Sequence, residues 1–183
     1  MRVIAGASKG RPLRSPRTPD TRPVTDRAKE SLFSILAPRI PGGRFLDLFA
    51  GTGSVGIEAL SRGAAHATFV ERAASALADI RHNLDATHLA ANAEVRGADV
   101  FAYLRGDPAP FDVVFVGPPQ WRGLWTRTVQ LLDQRPGWVA PEGVVVAQHD
   151  PSESTDVPLR HLRISGERTY GRVRFTFLGQ RDH

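Results

Sequence analysis

Residues 45–60 read FLDLFAGTGSVGIEAL. Phe45, Leu46, Leu48 and Phe49 make a short apolar run with one acid, Asp47, set into it. Gly51, Gly53 and Gly56 follow at once, and a helical pattern opens behind them at Ser54. Glycines at a strand-to-helix turn let the backbone bend tightly and leave the N–H groups of the helix start open to a ligand. The GxGxxG spacing is met literally and points to a nucleotide-type cofactor site. A dinucleotide dehydrogenase shows the same three glycines, so the motif alone leaves the cofactor open.

Around this unit strands and helices alternate. Pro41-Gly42-Gly43 stops whatever precedes it, and residues 45–49 form the first strand, with a helix over about 54–62. Residues 67–70 are the second strand, closed by Glu71, and about 73–85 a helix. A weak third strand over 94–96 precedes a short helix over 99–104. The run FDVVFV at 111–116 is a buried strand that ends abruptly in Gly117-Pro118-Pro119-Gln120. A helix over about 124–132, a strand over 144–148 and two more strands over 161–165 and 173–178 complete the pattern. The last two are expected to form an antiparallel hairpin whose connection contains Gly166 and Gly171. Apolar strands separated by helices predict an α/β fold, a mostly parallel sheet with helices on both faces.

The first forty residues read as a basic extension, a hairpin plus a helix, ahead of a main domain over 41–183. Residues 2–5 and 11–14 are expected to pair as strands around a turn at 6–10. Pro12, Pro16, Pro19 and Pro23 keep the following chain out of helix. Residues 25–37 form a helix with Thr25 as N-cap and an apolar stripe of Ala28, Leu32, Ile35 and Leu36, with Arg27, Lys29 and Glu30 off the stripe. This extension is open to two readings, a clamp on a phosphate backbone or a lid over the glycine loop.

Charge adds a polyanion partner to these readings, with a solvated basic arm as the plain alternative. The chain of 183 residues has a net charge of +5, and residues 1–30 hold eight Lys/Arg against three acids. A polyanion, most simply RNA, is the partner such an excess suits, with Lys9, Arg11, Arg14, Arg22 and Arg27 as the expected contacts. With no cysteine there are no disulfides and no thiolate metal sites. The six histidines show no paired metal-site spacing, so no metal is expected. No apolar run approaches the ~20 residues a membrane span needs, and MRVIAG is too quickly polar for a signal peptide. A cytoplasmic monomer is the expectation.

Ligands of open parallel sheets sit beyond the carboxyl ends of the strands. Three acids fall there: Asp47 near the glycine loop, Glu71 twenty residues after Gly51, and Asp99 after the third strand. Asp47 suits the glycine turn or a cationic ligand group, Glu71 suits two ribose hydroxyls, and Asp99 suits an adenine amino group or, more plainly, a helix cap. With Gly51, Gly53, Gly56, Phe49, Arg72 and Ala98 they make the expected cofactor set. A nicotinamide enzyme needs a substrate domain for which this length leaves little room. S-adenosylmethionine, with no pyrophosphate to hold, asks for less.

At these residues the chain resembles a known family, the bacterial methyltransferases that modify a guanine N2 of 16S ribosomal RNA. The likeness runs through RVIAG at 2–6, GRPL at 10–13, TRPVTDRAKESLFSIL at 21–36, LDLFAGTGSVGIEALSRGA at 46–64, FVE at 69–71, Asn83-Leu84, FDVVFVGPP at 111–119 and Gly171. It implies a Rossmann-like class I methyltransferase fold, a seven-stranded sheet with the last strand antiparallel, and S-adenosylmethionine as cofactor. It also implies 16S ribosomal RNA or the assembling small subunit as partner, engaged in part by the N-terminal extension.

One departure stands at the expected catalytic loop, Gly117, Pro118, Pro119, Gln120 and Trp121. The family has Asp-Pro-Pro-Tyr, whose acid accepts from the exocyclic amine and whose ring stacks on the flipped base. Gly117 has no side chain to accept with and Gln120 has no ring. The family's Glu-His pair after the fifth strand is here Gln148-His149. Either Trp121 or Trp125 is placed to supply the missing ring, or to pack the following helix. A loop carbonyl at Gly117 or Pro118 remains as acceptor. The alternative is a relative that binds cofactor and RNA without chemistry.

Overall fold

The fold grows from the apolar strand β1 (Arg44–Leu48), whose four last residues are all buried. The computed structural model describes residues 1–16 and 24–182. Six further strands join β1: β2 (His66–Glu71), β3 (Ala93–Gly97), β4 (Phe111–Val116), β5 (Val139–His149), β6 (Leu162–Tyr170) and β7 (Val173–Gln180). Helices α1 (Asp26–Leu36), α2 (Ser54–Ser61), α3 (Ala74–Thr87), α4 (Val100–Leu104) and α5 (Leu124–Gln134) accompany them. The sheet order is β3-β2-β1-β4-β5-β7-β6. The first five strands are parallel, and β7 enters antiparallel between β5 and β6. Strand order reverses between β1 and β4, which opens a crevice at their carboxyl ends.

Alternation along the strands divides the core into two layers. Phe45, Phe69, Val113, Phe115 and Val146 face one way, against Leu32, Phe33 and Leu36 of α1, Ile57 and Leu60 of α2, and Ile80 and Leu84 of α3. Leu46, Leu48, Val114, Val116 and Val145 face the other, against Val100 and Leu104 of α4 and Trp125, Val129 and Leu132 of α5. Asp47 shares the parity of Phe45, so its carboxyl points toward α2.

The N-terminal hairpin is a single antiparallel bridge, Arg2 to Pro12, rather than two paired strands. Pro12 has no N–H to extend a ladder, and the turn closes through Val3 N donating to Arg11 O and Gly10 N donating to Val3 O. Val3 and Leu13 enter the same core layer as α1, α2 and the sheet. Ser8 Oγ donates to Thr87 O at 2.7 Å and Arg14 N to Asn83 Oδ1 at 2.8 Å, which ties the arm along α3. The tail differs in one detail: Gly166 lies inside β6 at a register shift, and the turn to β7 is made by Gly171 and Arg172 alone.

Helix α1 starts as expected, with Thr25 Oγ1 accepting from Ala28 N at 3.2 Å. Its stripe is rotated from the expected one. Ile35 is 37% exposed, whereas Lys29 and Phe33 are buried beside Ala28, Leu32 and Leu36. Lys29 Nζ donates to Arg2 O at 2.8 Å and Ser54 Oγ at 3.1 Å, and lies 3.3 Å from Glu58 Oε1. Glu58, fully buried in α2, also accepts from Ile4 N, Ala5 N and Arg62 Nε. Burial pulls the Lys29 ammonium below its usual range, against the attraction of Glu58.

Removing one partner of a buried pair leaves the other charge uncompensated and typically costs ~3–5 kcal/mol. Lys29→Met is therefore expected to lower the urea-unfolding free energy by about 3 kcal/mol or more. Arg2→Ala, which breaks only the exposed Arg2–Asp26 pair, is expected to cost no more than about 1 kcal/mol. Equal effects from the two would show that the buried pair has no special weight.

Candidate active site

A cleft of about 320 Å³ lies at the carboxyl ends of β1, β2 and β4. Its walls include Asp47, Phe49, Gly51, Thr52, Ser54, Glu71, Arg72, Ala98 and Asp99 on one side and Gly117, Pro118, Pro119, Gln120, Arg122 and Gln148 on the other. Met1, Pro16 and Val24 from the N-terminal region line it as well. The arm thus forms part of the cleft wall.

The three acids arrive with different electrostatics. Asp47, 2% exposed, accepts from Gly56 N at 3.0 Å through Oδ2. Burial pushes its carboxyl up to about 8, against the opposing pull of that bond. Near neutral pH it is therefore held mostly protonated, a site that gains from an arriving cation. Glu71 accepts from Gly51 N at 3.0 Å through Oε1 and from Arg72 N and Ala73 N at 2.8 and 2.9 Å through Oε2. Those bonds fix the carboxylate against the glycine turn, with lone-pair capacity left on the cleft side. Asp99 caps α4, its Oδ1 accepting from Ala102 N at 3.0 Å, so the cap reading holds while the residue still borders the cleft.

The three glycines divide their work. Gly51, at φ +59, is on the cleft wall; Gly53, at φ +82, is the N-cap of α2 and lies beneath the loop. Gly56 is a packing residue, since a Cβ there would stand 2.4 Å from Phe69 Cε1 and 3.1 Å from Asp47 Oδ2. Phe49, itself at φ +58, meets Phe101 edge-on at 6.3 Å.

The catalytic loop is placed by β4, where Gly117 N donates to Leu48 O at 3.2 Å. A Cβ on Gly117 would lie 2.8 Å from Phe115 Cε1. The Phe115 ring thus occupies the room in which an acid at 117 would begin. Gln120 borders the cleft with its Nε2 buried and without a hydrogen-bond partner.

The two candidate tryptophans separate. Trp125 is buried and stacks on His149 at 4.2 Å, with 10° between the planes. His149 Nε2 shares a 2.7 Å hydrogen bond with Thr176 Oγ1, and burial holds its imidazole below the usual range. Both are packing groups, and only Gln148 of the Gln148-His149 pair reaches the cleft. Trp121 is 63% exposed and lines a neighbouring groove instead of the cleft.

Among the expected RNA contacts, Lys9 and Arg27 are exposed. Arg11 Nη1 donates to Ala86 O, and Arg14 Nη1 stands 3.5 Å from buried Asp79, so these two also dock the arm on α3. Arg22 lies outside the described residues. The residue that sequence reasoning missed is Lys29, whose Nζ holds Ser54 on the cleft wall. Its signal was present, because 29, 32, 33 and 36 follow the i, i+3, i+4, i+7 spacing of a buried face.

The comparisons agree with this geometry. The family model described as conserved hypothetical protein 95 matches residues 1–179. Ribosomal RNA small subunit methyltransferase D of Escherichia coli K12 is 38% identical over 175 residues, covering 93% of this chain and 87% of the relative. The protein of the same name from Haemophilus influenzae is 33% identical over 178 residues, covering 96% and 91%. The solved structure of Escherichia coli yhhF superposes with a TM-score of 0.86 at 36% identity, covering 98% of this chain and 97% of that one. The chain therefore belongs to the family of conserved hypothetical protein 95, as a homologue of the ribosomal RNA small subunit methyltransferases D built on the class I methyltransferase fold.

Proposed function

We propose that this chain transfers a methyl group from S-adenosylmethionine to a guanine N2 of small-subunit ribosomal RNA. The observation that carries the reading is one cleft bordered at one end by Asp47, Glu71 and Asp99 and at the other by Gly117-Pro118-Pro119-Gln120. S-adenosylmethionine supplies an electrophilic methyl on a sulfonium. Asp47 receives the cationic amino-acid end, Glu71 the ribose hydroxyls, and Phe49, Arg72, Ala98 and Asp99 border the adenine. The partner is ribosomal RNA, either free 16S or within the assembling small subunit. Lys9 and Arg27, both exposed, supply cations to it together with Arg22, and the protein acts as a cytoplasmic monomer.

At the other end the nucleophile is an amine whose lone pair is delocalised into the base. An acceptor that takes a hydrogen bond from N2 turns that lone pair toward the methyl group. Gly117 offers only its backbone carbonyl. Gln120 on the cleft wall has its Nε2 buried without a hydrogen-bond partner, and a flip of the amide presents Oε1 to the amine or Nε2 to a base acceptor. A buried amide left unpaired costs ~1–3 kcal/mol, so a bound base that pairs with it is favoured by that amount. As the N–CH3 bond forms, the S–CH3 bond breaks and the N2 proton leaves to solvent.

Two measurements test this. Asp47, held at about 8 in the free protein, releases its proton when a cation binds, so cofactor affinity should rise between pH 6 and 7 by up to about tenfold per unit. This window lies below the ligand α-amino pKa of ~7.7–8.0. Asp47→Asn should flatten the profile, and Glu71→Ala should weaken S-adenosylhomocysteine by ~1.4–2.8 kcal/mol in calorimetry. A flat wild-type profile would remove the cation from Asp47.

The catalytic reading is tested by single-turnover transfer to unmodified small subunits. The wild type should turn over, Gln120→Ala should lose ~1–3 kcal/mol of transition-state stabilisation, and Gly117→Asp should give no gain unless Phe115 is also reduced. A silent wild type revived by Gly117→Asp with Phe115→Val would instead assign the chain to relatives that bind cofactor and RNA without chemistry.

A further inference from the structure

Trp121 is the most exposed large hydrophobic among the described residues, at 63%. It has φ +67, a backbone region that non-glycine residues seldom adopt. Its backbone N donates to Glu153 Oε1 at 3.1 Å, and Glu153 Oε2 accepts from Asp150 N at 2.8 Å. The segment after β5 thus holds the loop backbone at Trp121, whose indole stands exposed. In front of it lies a groove bordered by Trp121, Asp150, Pro151, Ser152, Gly171 and Arg172. Asp150, the acid bordering the groove, accepts from Ser152 N at 2.9 Å through Oδ1, and Glu153 behind it is engaged as above. The nearby Arg174 is drawn to Glu167 and Thr169. Arg172, on the turn between β6 and β7, is exposed.

The loop alternates between two surfaces. Gln120 and Arg122 border the cofactor cleft, while Trp121 between them borders the groove. A strand whose target base enters the cleft therefore passes the groove with its neighbouring nucleotide. Extruding one base strips its neighbour of a stacking partner, and an exposed indole replaces that stack for any base.

We propose that this groove is a second nucleotide subsite, in which the base adjoining the target guanine stacks on Trp121 and its phosphate lies at Arg172. This rests on the ribosomal RNA reading above. It also changes the expected role of Trp121, which serves the flanking base and not the methylated one.

The geometry provides its own reporter, since Trp125 and Trp138 are each 2% exposed. Titrating the full-length protein, saturated with S-adenosylhomocysteine, with a five-nucleotide single-stranded RNA centred on guanosine should quench the exposed indole. Trp121→Ala should weaken that RNA about tenfold to a hundredfold and Arg172→Ala severalfold, with cofactor affinity retained. Trp121→Phe should recover most of the loss, and guanosine monophosphate should bind wild type and Trp121→Ala alike. On unmodified small subunits the loss should fall in KM and not in kcat. Wild-type RNA affinity in Trp121→Ala overturns the subsite, as does an equal loss for guanosine monophosphate, which would put the indole on the target base. If Trp121→Ala weakens small-subunit binding but leaves the oligonucleotide unaffected, the groove takes a ribosomal protein and the proposal fails. A wild type that methylates subunits while Trp121→Ala matches it refutes the subsite alone; a wild type that neither binds nor methylates RNA refutes both readings.

Discussion

The buried pair between Lys29 and Glu58 joins three parts of the chain that also share one core layer. Lys29 comes from α1, Glu58 from α2, and the N–H groups of Ile4 and Ala5 complete the carboxylate's shell. A charge in this layer is tolerable only with its hydrogen bonds satisfied. Glu58 reaches that state only when the N-terminal arm, α1 and Arg62 are all in place. The same ammonium bonds Ser54 in the first turn of α2, on the cleft wall. The glycine loop and the arm thus share one electrostatic centre, and the basic extension is part of the construction of the cleft.

Within the cleft, burial and backbone hydrogen bonding separate acids that look alike in one dimension. Asp47 sits in the layer between sheet and α2, where Gly56 N donates to it, and its carboxyl is held up to about 8. Glu71 stands at the edge of the loop with three N–H donors. Burial thus favours the neutral form of the first, while backbone donors surround the second. Gly56 makes the Asp47 arrangement possible, because any side chain there would strike Phe69.

The altered loop departs from the family's pattern at two neighbouring positions, Gly117 and Gln120. Phe115 stands on the layer shared with Phe175, its ring 6.4 Å from that neighbour, and it closes the space beside Gly117. With that volume filled, the polar capacity of the loop resides in the Gln120 amide and the backbone carbonyls. The aromatic capacity resides in Trp121, displaced one residue along and turned to the next groove.

Periodicity and punctuation alone determined the alternating α/β order, the glycine loop behind β1, the Thr25 cap and the acids at the strand ends. These are local properties: an apolar run, a turn residue and a cap act over a few neighbours, and their spacing is written in the chain. The N-terminal hairpin is shorter than its apolar pattern suggests because Pro12 leaves a ladder with one bridge, and Gly166 lies inside β6 because a register shift absorbs it. What tertiary structure decided were contacts between residues far apart in sequence. Lys29 meets Glu58 twenty-nine positions away, Trp125 is buried against His149, and the Trp121 backbone is held by Glu153. No local pattern separates Trp121 from Trp125, since both are indoles flanking one loop. Their fates diverge in the fold: Trp125 lies on α5 and stacks on His149, while Trp121 lies in the loop before it, exposed, with its backbone N bonded to Glu153.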